Sequence, residues 1–237
     1  YAAKLNWASR KGGVGWGGYV IGRTAGGRKG GMAQKVLSIF GHGGKVVKFY
    51  TFGPEYNFPG NCWSERRSVY PELLRALKIV APAEDLLWPG RRPVAPVAIV
   101  QPQSAQPWDL IDQRIASGIM DVTNVNQNAA TVGYMAEAYN LYMALMHANI
   151  PTDFIDETAL REKDLNDYRV VYMTSPNVPI EAQRRLGEWV TAGGTLVTVS
   201  NAASADRYND ATTALDAVRG VAESPRERFY MGRIRKM

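Results

Sequence analysis

Cysteine and histidine are nearly missing from this chain of 237 residues, which carries one cysteine, Cys62, and two histidines, His42 and His147. A single cysteine excludes an internal disulfide and a cysteine metal cluster. Two histidines leave little for a histidine-rich centre. No metal and no cofactor is expected. Also missing is any apolar run near the ~20 residues of a membrane helix, so no membrane partner is expected. The opening Tyr-Ala-Ala-Lys-Leu-Asn has no signal-peptide pattern, and the sequence names no compartment. Acidic residues are scarce early on. Residues 1–92 hold 15 Lys/Arg against 5 Asp/Glu, a balance of +10, while residues 93–237 hold 13 against 17, a balance of −4. The basic residues lie scattered among glycines and do not line one helix, which argues against a nucleic-acid face.

What is present is a globular composition, 46% hydrophobic and 21% charged. Residues 1–31 are dense in glycine and predict a loop-rich start, with one short strand at Tyr19-Val20-Ile21. Met32, Val36, Ile39 and Phe40 have helical spacing, stopped by Gly41 and Gly43-Gly44. Lys45 to Phe52 reads as a strand, and Gly53 to Asn61 as a loop. Ser64 or Ser68 can cap a helix running to about Val80, with Leu73, Leu74, Leu77 and Val80 on its buried side.

Pro89-Gly90-Arg91-Arg92-Pro93 reads as a domain boundary. It separates a first segment, 1–92, from an α/β domain, 93–225, and a basic tail, 226–237. Val94 to Val100 is the continuous apolar run of a doubly covered parallel strand. Residues 101–127 predict a long loop, and Asn128 to Ala148 a helix. Strands at Thr152–Ile155, Arg169–Met173 and Thr195–Val199 follow, with a helix at Glu181–Thr191 before the last. This alternation implies a parallel sheet with helices on both faces.

Motifs are few. Gly13-Val14-Gly15-Trp16-Gly17-Gly18 satisfies G-x-G-x-x-G, and Lys11 to Gly15 resembles the start of a P-loop. Trp16 and Gly17 stand where a phosphate-binding lysine and a metal-binding hydroxyl belong, and no apolar strand precedes, so nucleotide binding is not expected. Ser104, Ser175 and Ser200 follow strands, but none lies in G-x-S-x-G. His147 reads as an ordinary helix histidine.

The segment around Glu55 carries the most chemistry. A carboxylate just beyond a strand, beside Tyr50, Phe52, Tyr56, Phe58 and Trp63, matches how sugar sites are built. Aromatic faces stack on pyranose rings while carboxylates move protons or attack. Glu55 is the candidate catalytic residue, with Tyr50, Phe52, Tyr56, Asn61, Trp63 and Glu65 as candidate sugar contacts. The alternative is an ordinary loop carboxylate among aromatics that cap a core. Glu84-Asp85 reads as a helix-end pair.

Residues 94–200 resemble the class I glutamine amidotransferase-like fold, and within it the trimerisation domain of family 42 β-galactosidases. The resemblance rests on Val97-Ala98-Ile99-Val100, Leu145-Met146-His147-Ala148-Asn149-Ile150, Pro151-Thr152-Asp153-Phe154-Ile155, Tyr168 to Met173, and Glu188 to Val197. Amidotransferases carry a cysteine nucleophile after a strand. Here Val199-Ser200-Asn201-Ala202-Ala203 stands instead, which removes that chemistry. The first segment resembles the end of a glycosidase (β/α) barrel, with Phe40 to Tyr50 as a helix and late strand and Arg75 to Asp85 as the last helix. Glu55 would then sit where barrel enzymes keep their sites.

The resemblance implies a glycoside-hydrolase-related chain acting on or binding β-linked sugars, and a homo-oligomer. Residues 1–92 supply only two or three of eight βα units, and so few strands cannot close a barrel. A fragment, a truncated relative, or completion by neighbouring subunits is therefore expected. The other reading is a non-catalytic assembly module.

Overall fold

The computed structural model describes residues 2–21, 31–50, 69–101, 103–112, 133–162, 165–199 and 201–220. The chain divides into two compact units, Tyr1–Pro93 and Val94–Met237.

The first unit contains helix α1 (Ala2–Gly12), strand β1 (Gly17–Ile21), helix α2 (Gly31–Gly41), strand β2 (Val46–Tyr50), helix α3 (Val69–Val80), a 3-10 turn (Ala81–Ala83) and helix α4 (Glu84–Leu87). Helix α1 corrects the expectation of a loop-rich start. The glycines begin only at Gly12, and the residues before them include good helix formers, with Asn6 and Trp7 buried. Gly13 ends the helix at φ 66°, the left-handed conformation a side chain resists. The Val14 N–H donates to the Ser9 carbonyl at 3.1 Å, as in a Schellman cap. The glycine-rich motif is thus a helix stop ahead of a strand, the reverse of the order a dinucleotide loop needs.

Strands β1 and β2 run parallel, from Gly17 opposite Val46 to Ile21 opposite Tyr50, with α2 inside the connection. Val20, Met32, Val36, Ile39, Val69 and Ala76 form the core of this unit. Helix α3 faces that core differently from the sequence expectation. Val69 and Ala76 are buried, Leu73 and Val80 pack partly, but Leu74 is 54% and Leu77 42% exposed. Positions 69, 73, 76 and 80 share one helical stripe, and Leu74 lies about 100° round from Leu73. The Lys45 ammonium donates to the carbonyls of Leu87 and Gly90. It thereby closes the end of α4 onto the start of β2.

The second unit contains strand β3 (Val97–Val100), helix α5 (Ala105–Asp112), helix α6 (Gly133–His147), strand β4 (Thr152–Ile155), helix α7 (Glu157–Glu162), strand β5 (Val170–Met173), helix α8 (Ile180–Thr191), strand β6 (Thr195–Thr198) and helix α9 (Asp216–Arg219). Helix α5 replaces part of the long loop expected over 101–127. Its stop-like Pro107 occupies the first turn, where a missing N–H costs nothing. Helix α7 was not expected either.

The four strands are all parallel, in the order β4-β3-β5-β6. Every residue of β3 and β4 is buried, so the apolar run of β3 needs no alternation. Asp153, inside β4, is fully buried and accepts from the Ala95 N–H at 3.3 Å and the Tyr168 hydroxyl at 3.4 Å. Helix α6 packs on β3 and β4, with the Tyr142 ring 5.1 Å from that of Phe154. Helices α7 and α8 pack on each other. A Cβ on Gly194 would lie 2.3 Å from the Trp189 ring, so only glycine lets α8 turn so closely into β6.

From β3 the chain goes out to the edge strand β4, then crosses back to β5 on the other side of β3. The connections leaving β3 and β5 therefore diverge, and a crevice opens at the carboxyl ends of the strands.

Candidate functional site

That crevice holds an open cleft of about 300 Å³, lined by Gln103, Ser104, Glu157, Thr158, Arg161, Pro179 and Arg207. All four strands contribute. Gln103 and Ser104 follow β3, Glu157 to Arg161 follow β4, Pro179 follows β5, and Arg207 belongs to the segment after β6.

Glu157 organises the cleft. It begins α7 one residue beyond Asp156, whose carboxylate accepts the Ala159 N–H at 2.7 Å. One Glu157 oxygen, Oε1, accepts the backbone N–H groups of Gln103 at 3.0 Å and Ser104 at 2.8 Å. The other, Oε2, accepts the Ser104 hydroxyl. Burial raises the Glu157 pKa above the ordinary value, against the lowering effect of these three donors and of the Arg207 charge. The carboxylate is thus turned toward the backbone that leads into α5.

Arg161 and Arg207 supply the positive charge. Arg161 lies one helical turn beyond Glu157 and pairs with Glu162 at 3.2 Å. Arg207 is anchored by its main chain, whose carbonyl accepts the Trp108 indole N–H at 2.9 Å. Its guanidinium forms no ion pair among the described residues.

The segment after β6 is built onto the end of the sheet. Asn201 and Ala203 adopt φ of 67° and 49°. The Ala203 N–H donates to the Ser175 carbonyl at 2.7 Å, and the Ala205 N–H to the Pro176 carbonyl at 3.0 Å. The buried Gln183 side chain donates to the carbonyls of Val178 and Ala205 at 2.8 and 3.1 Å. Arg219 donates to the carbonyls of Ala202 and Ala203. Burial lowers the Arg219 pKa, opposed by Asp216.

Of the candidate sugar contacts, Tyr50 ends β2 at the carboxyl edge of the first unit's strand pair. Glu55, Phe52, Tyr56, Asn61, Trp63 and Glu65 lie outside the described residues, as does Ser200. Ser104 is held by Glu157, and the buried Ser175 hydroxyl donates to the Asn177 carbonyl at 2.8 Å. His147 sits exposed in the last turn of α6. Among the described residues no three His, Cys, Asp or Glu side chains converge on a metal position, and no helix is long and apolar enough to cross a membrane.

Sequence reasoning passed over Glu157, Arg161 and Arg207. The one signal was an acidic residue directly after a strand. Only the topology shows that β4 delivers it beside the turn after β3.

The constellation has two arginines and a buried carboxylate that accepts from Gln103 and Ser104. Residues 117–221 match the family described as the β-galactosidase trimerisation domain. Over that span the chain is similar to this domain. The structure of Gan42B, described as a GH42 β-galactosidase, aligns at 21% identity with a TM-score of 0.57, covering 82% of this chain and 28% of that one. A catalytic mutant of Gan42B from G. stearothermophilus aligns at 22% identity and TM-score 0.55, covering 78% and 26%. At such identity these two structures speak for the fold. The chain spans about a quarter of the length of these family 42 structures. No match to the chain was found among curated proteins.

Proposed function

We propose that this chain is part of a β-galactosidase-like glycoside hydrolase assembly in which the second unit joins copies of the chain and the first unit handles a β-linked sugar around Glu55. The observation that carries the reading is the match of residues 117–221 to a trimerisation domain. On this reading the second unit is a flavodoxin-like, amidotransferase-like sheet with Val199 to Ala203 in place of the nucleophile turn. The order β4-β3-β5-β6 supports it.

Helix α6 supports self-association. Tyr139, Met143 and Met146 are 44%, 52% and 37% exposed, and Ile150, just past the helix, is 36% exposed. The spacing of 4, 3 and 4 residues makes one apolar stripe, the pattern by which helices of separate chains pack. A second copy of this chain is the partner proposed.

The first unit is read as a partial (β/α) barrel segment. A parallel strand, a helix and a parallel strand are present, and Glu55 follows the carboxyl end of β2. Two strands close no barrel, so this reading takes the other strands, and the second carboxylate about 5 Å from Glu55, from other segments or chains.

The test has two arms. Sedimentation of the chain should give a defined oligomer, and a clean monomer overturns the assembly part. Hydrolysis of aryl β-galactosides by the assembled protein should fall at least a hundredfold in Glu55→Gln. Unchanged turnover removes Glu55 from the chemistry.

A further inference from the structure

The cleft at the end of the second unit's sheet has no part in the function proposed above. Its construction is that of a binding site. Four separate connections converge on it, each from a different parallel strand. This is where the order of strands opens a crevice in an α/β sheet. Convergence from distant segments needs a reason, because each turn could instead be capped locally.

The charges define what fits. Glu157 points its carboxylate at the Gln103 and Ser104 N–H groups and the Ser104 hydroxyl, so its acceptors are engaged inside the protein. The cleft then keeps the Arg207 guanidinium, the Arg161 guanidinium shared with exposed Glu162, and the polar side chains of Gln103 and Thr158. Counting Glu157 as charged, the lining still carries one net positive charge, from two arginines and one glutamate. Arg207 has an anchored main chain and a guanidinium in no ion pair among the described residues. A planar guanidinium in that state is suited to a carboxylate or phosphate, which it can meet with two parallel hydrogen bonds.

The volume excludes the simplest ligand. About 300 Å³ is several times what a bare inorganic anion fills, and the lining has polar side chains beside Pro179 but no aromatic wall. Amide and hydroxyl groups there match hydroxyls, not an apolar tail. We infer that the cleft binds a small hydroxylated oxyanion, a sugar acid or sugar phosphate in its chemistry, with Arg207 and Arg161 on the anionic group and Gln103 and Thr158 on the hydroxyls.

Titration calorimetry of the whole chain with D-glucuronate, D-glucose 6-phosphate and neutral D-glucose tests this. At least one anion should bind tenfold or more tightly than glucose, and its affinity should drop as salt is added. Preference for glucuronate assigns a carboxylate, and preference for the phosphate ester assigns a phosphate. Arg207→Ala should weaken that binding at least tenfold while the folded chain, checked by circular dichroism, is kept, since Arg207 is exposed. Arg161→Ala should weaken it less. Glucose binding as well as the anions, no binding of either anion, or affinity untouched by Arg207→Ala each overturn the inference. None of these outcomes bears on oligomer formation or on Glu55.

Discussion

Ser104 gives both its backbone N–H, at 2.8 Å, and its hydroxyl to the carboxylate of Glu157, 53 residues further along the chain. The pair locks the turn after β3 to the start of α7. Glu157→Ala leaves a serine hydroxyl and two backbone N–H groups without their acceptor. A loss of about 2 kcal/mol or more is expected in chemical denaturation.

The same carboxylate gives a pH signature. Desolvation raises its folded pKa above the ordinary value of 4.5. The folded state therefore binds this proton more readily than the unfolded chain. Stability from Glu157 is fully present below the unfolded value and is lost as pH rises through the folded one. Compared with Glu157→Gln, which cannot titrate, the native protein should gain stability on going from about pH 7.5 to about pH 4.5. A difference between the two that stays flat over this window refutes the shift.

Much of the second unit was legible because a parallel strand covered on both faces is commonly a continuous apolar run. Val97 to Val100 and Val170 to Met173 show such runs, and Gly193-Gly194 marks the end of α8. Helix α5 was hidden because Pro107 and polar neighbours look like loop when the proline's place in the first turn is unknown. Helix α1 was hidden by the glycines that follow it. The cleft was not legible at all. Ser104, Glu157 and Arg207 are far apart in sequence, and only the crossover from β4 to β5 brings their connections together. The α3 face was misread because four leucines and valines there fit two overlapping stripes, and Val69 selects one of them.

The exposed stripe on α6 bears on assembly. Met143 and Met146 are 52% and 37% exposed, so replacing both with glutamate leaves the core of the unit alone. In an interface between copies, two carboxylates would be desolvated without partners. Met143→Glu with Met146→Glu should shift the sedimentation profile toward monomer at least tenfold in dissociation constant, with little change in melting temperature at low concentration. An unchanged oligomer places the contact on another surface.

Arg219 ties α9 to the turn after β6. Its guanidinium donates to Ala202 and Ala203, which are 2% and 1% exposed, and pairs with Asp216 at 3.5 Å. Arg219→Met keeps much of the stem but leaves two buried carbonyls short of a donor. A loss of about 1–3 kcal/mol is expected. Amide exchange should accelerate first at Ala203 and Ala205, whose N–H groups pair with Ser175 and Pro176. Uniform acceleration over the whole unit would mean that Arg219 acts on global stability alone.

Lys45 does similar work in the first unit, where its ammonium meets the Leu87 and Gly90 carbonyls at the end of α4. Two carbonyls at a helix end, facing one cation, is the favourable sense of the helix dipole. The aliphatic stem of Lys45 also runs past Gly15, whose position a Cβ would bring to 3.7 Å of the Lys45 Cγ. Lys45→Met preserves that stem and deletes the donors. The loss in stability should be modest, about 1–2 kcal/mol, because the site is partly open to water. The local effect should be larger: with Gly90 released, Arg91 and Arg92 leave their fixed path. Limited trypsin digestion should cut after Arg91 several times faster in the variant than in the native chain, ahead of cleavage within α2 or α3. Equal cutting rates would show that Pro89 and Pro93 hold this stretch without help from Lys45.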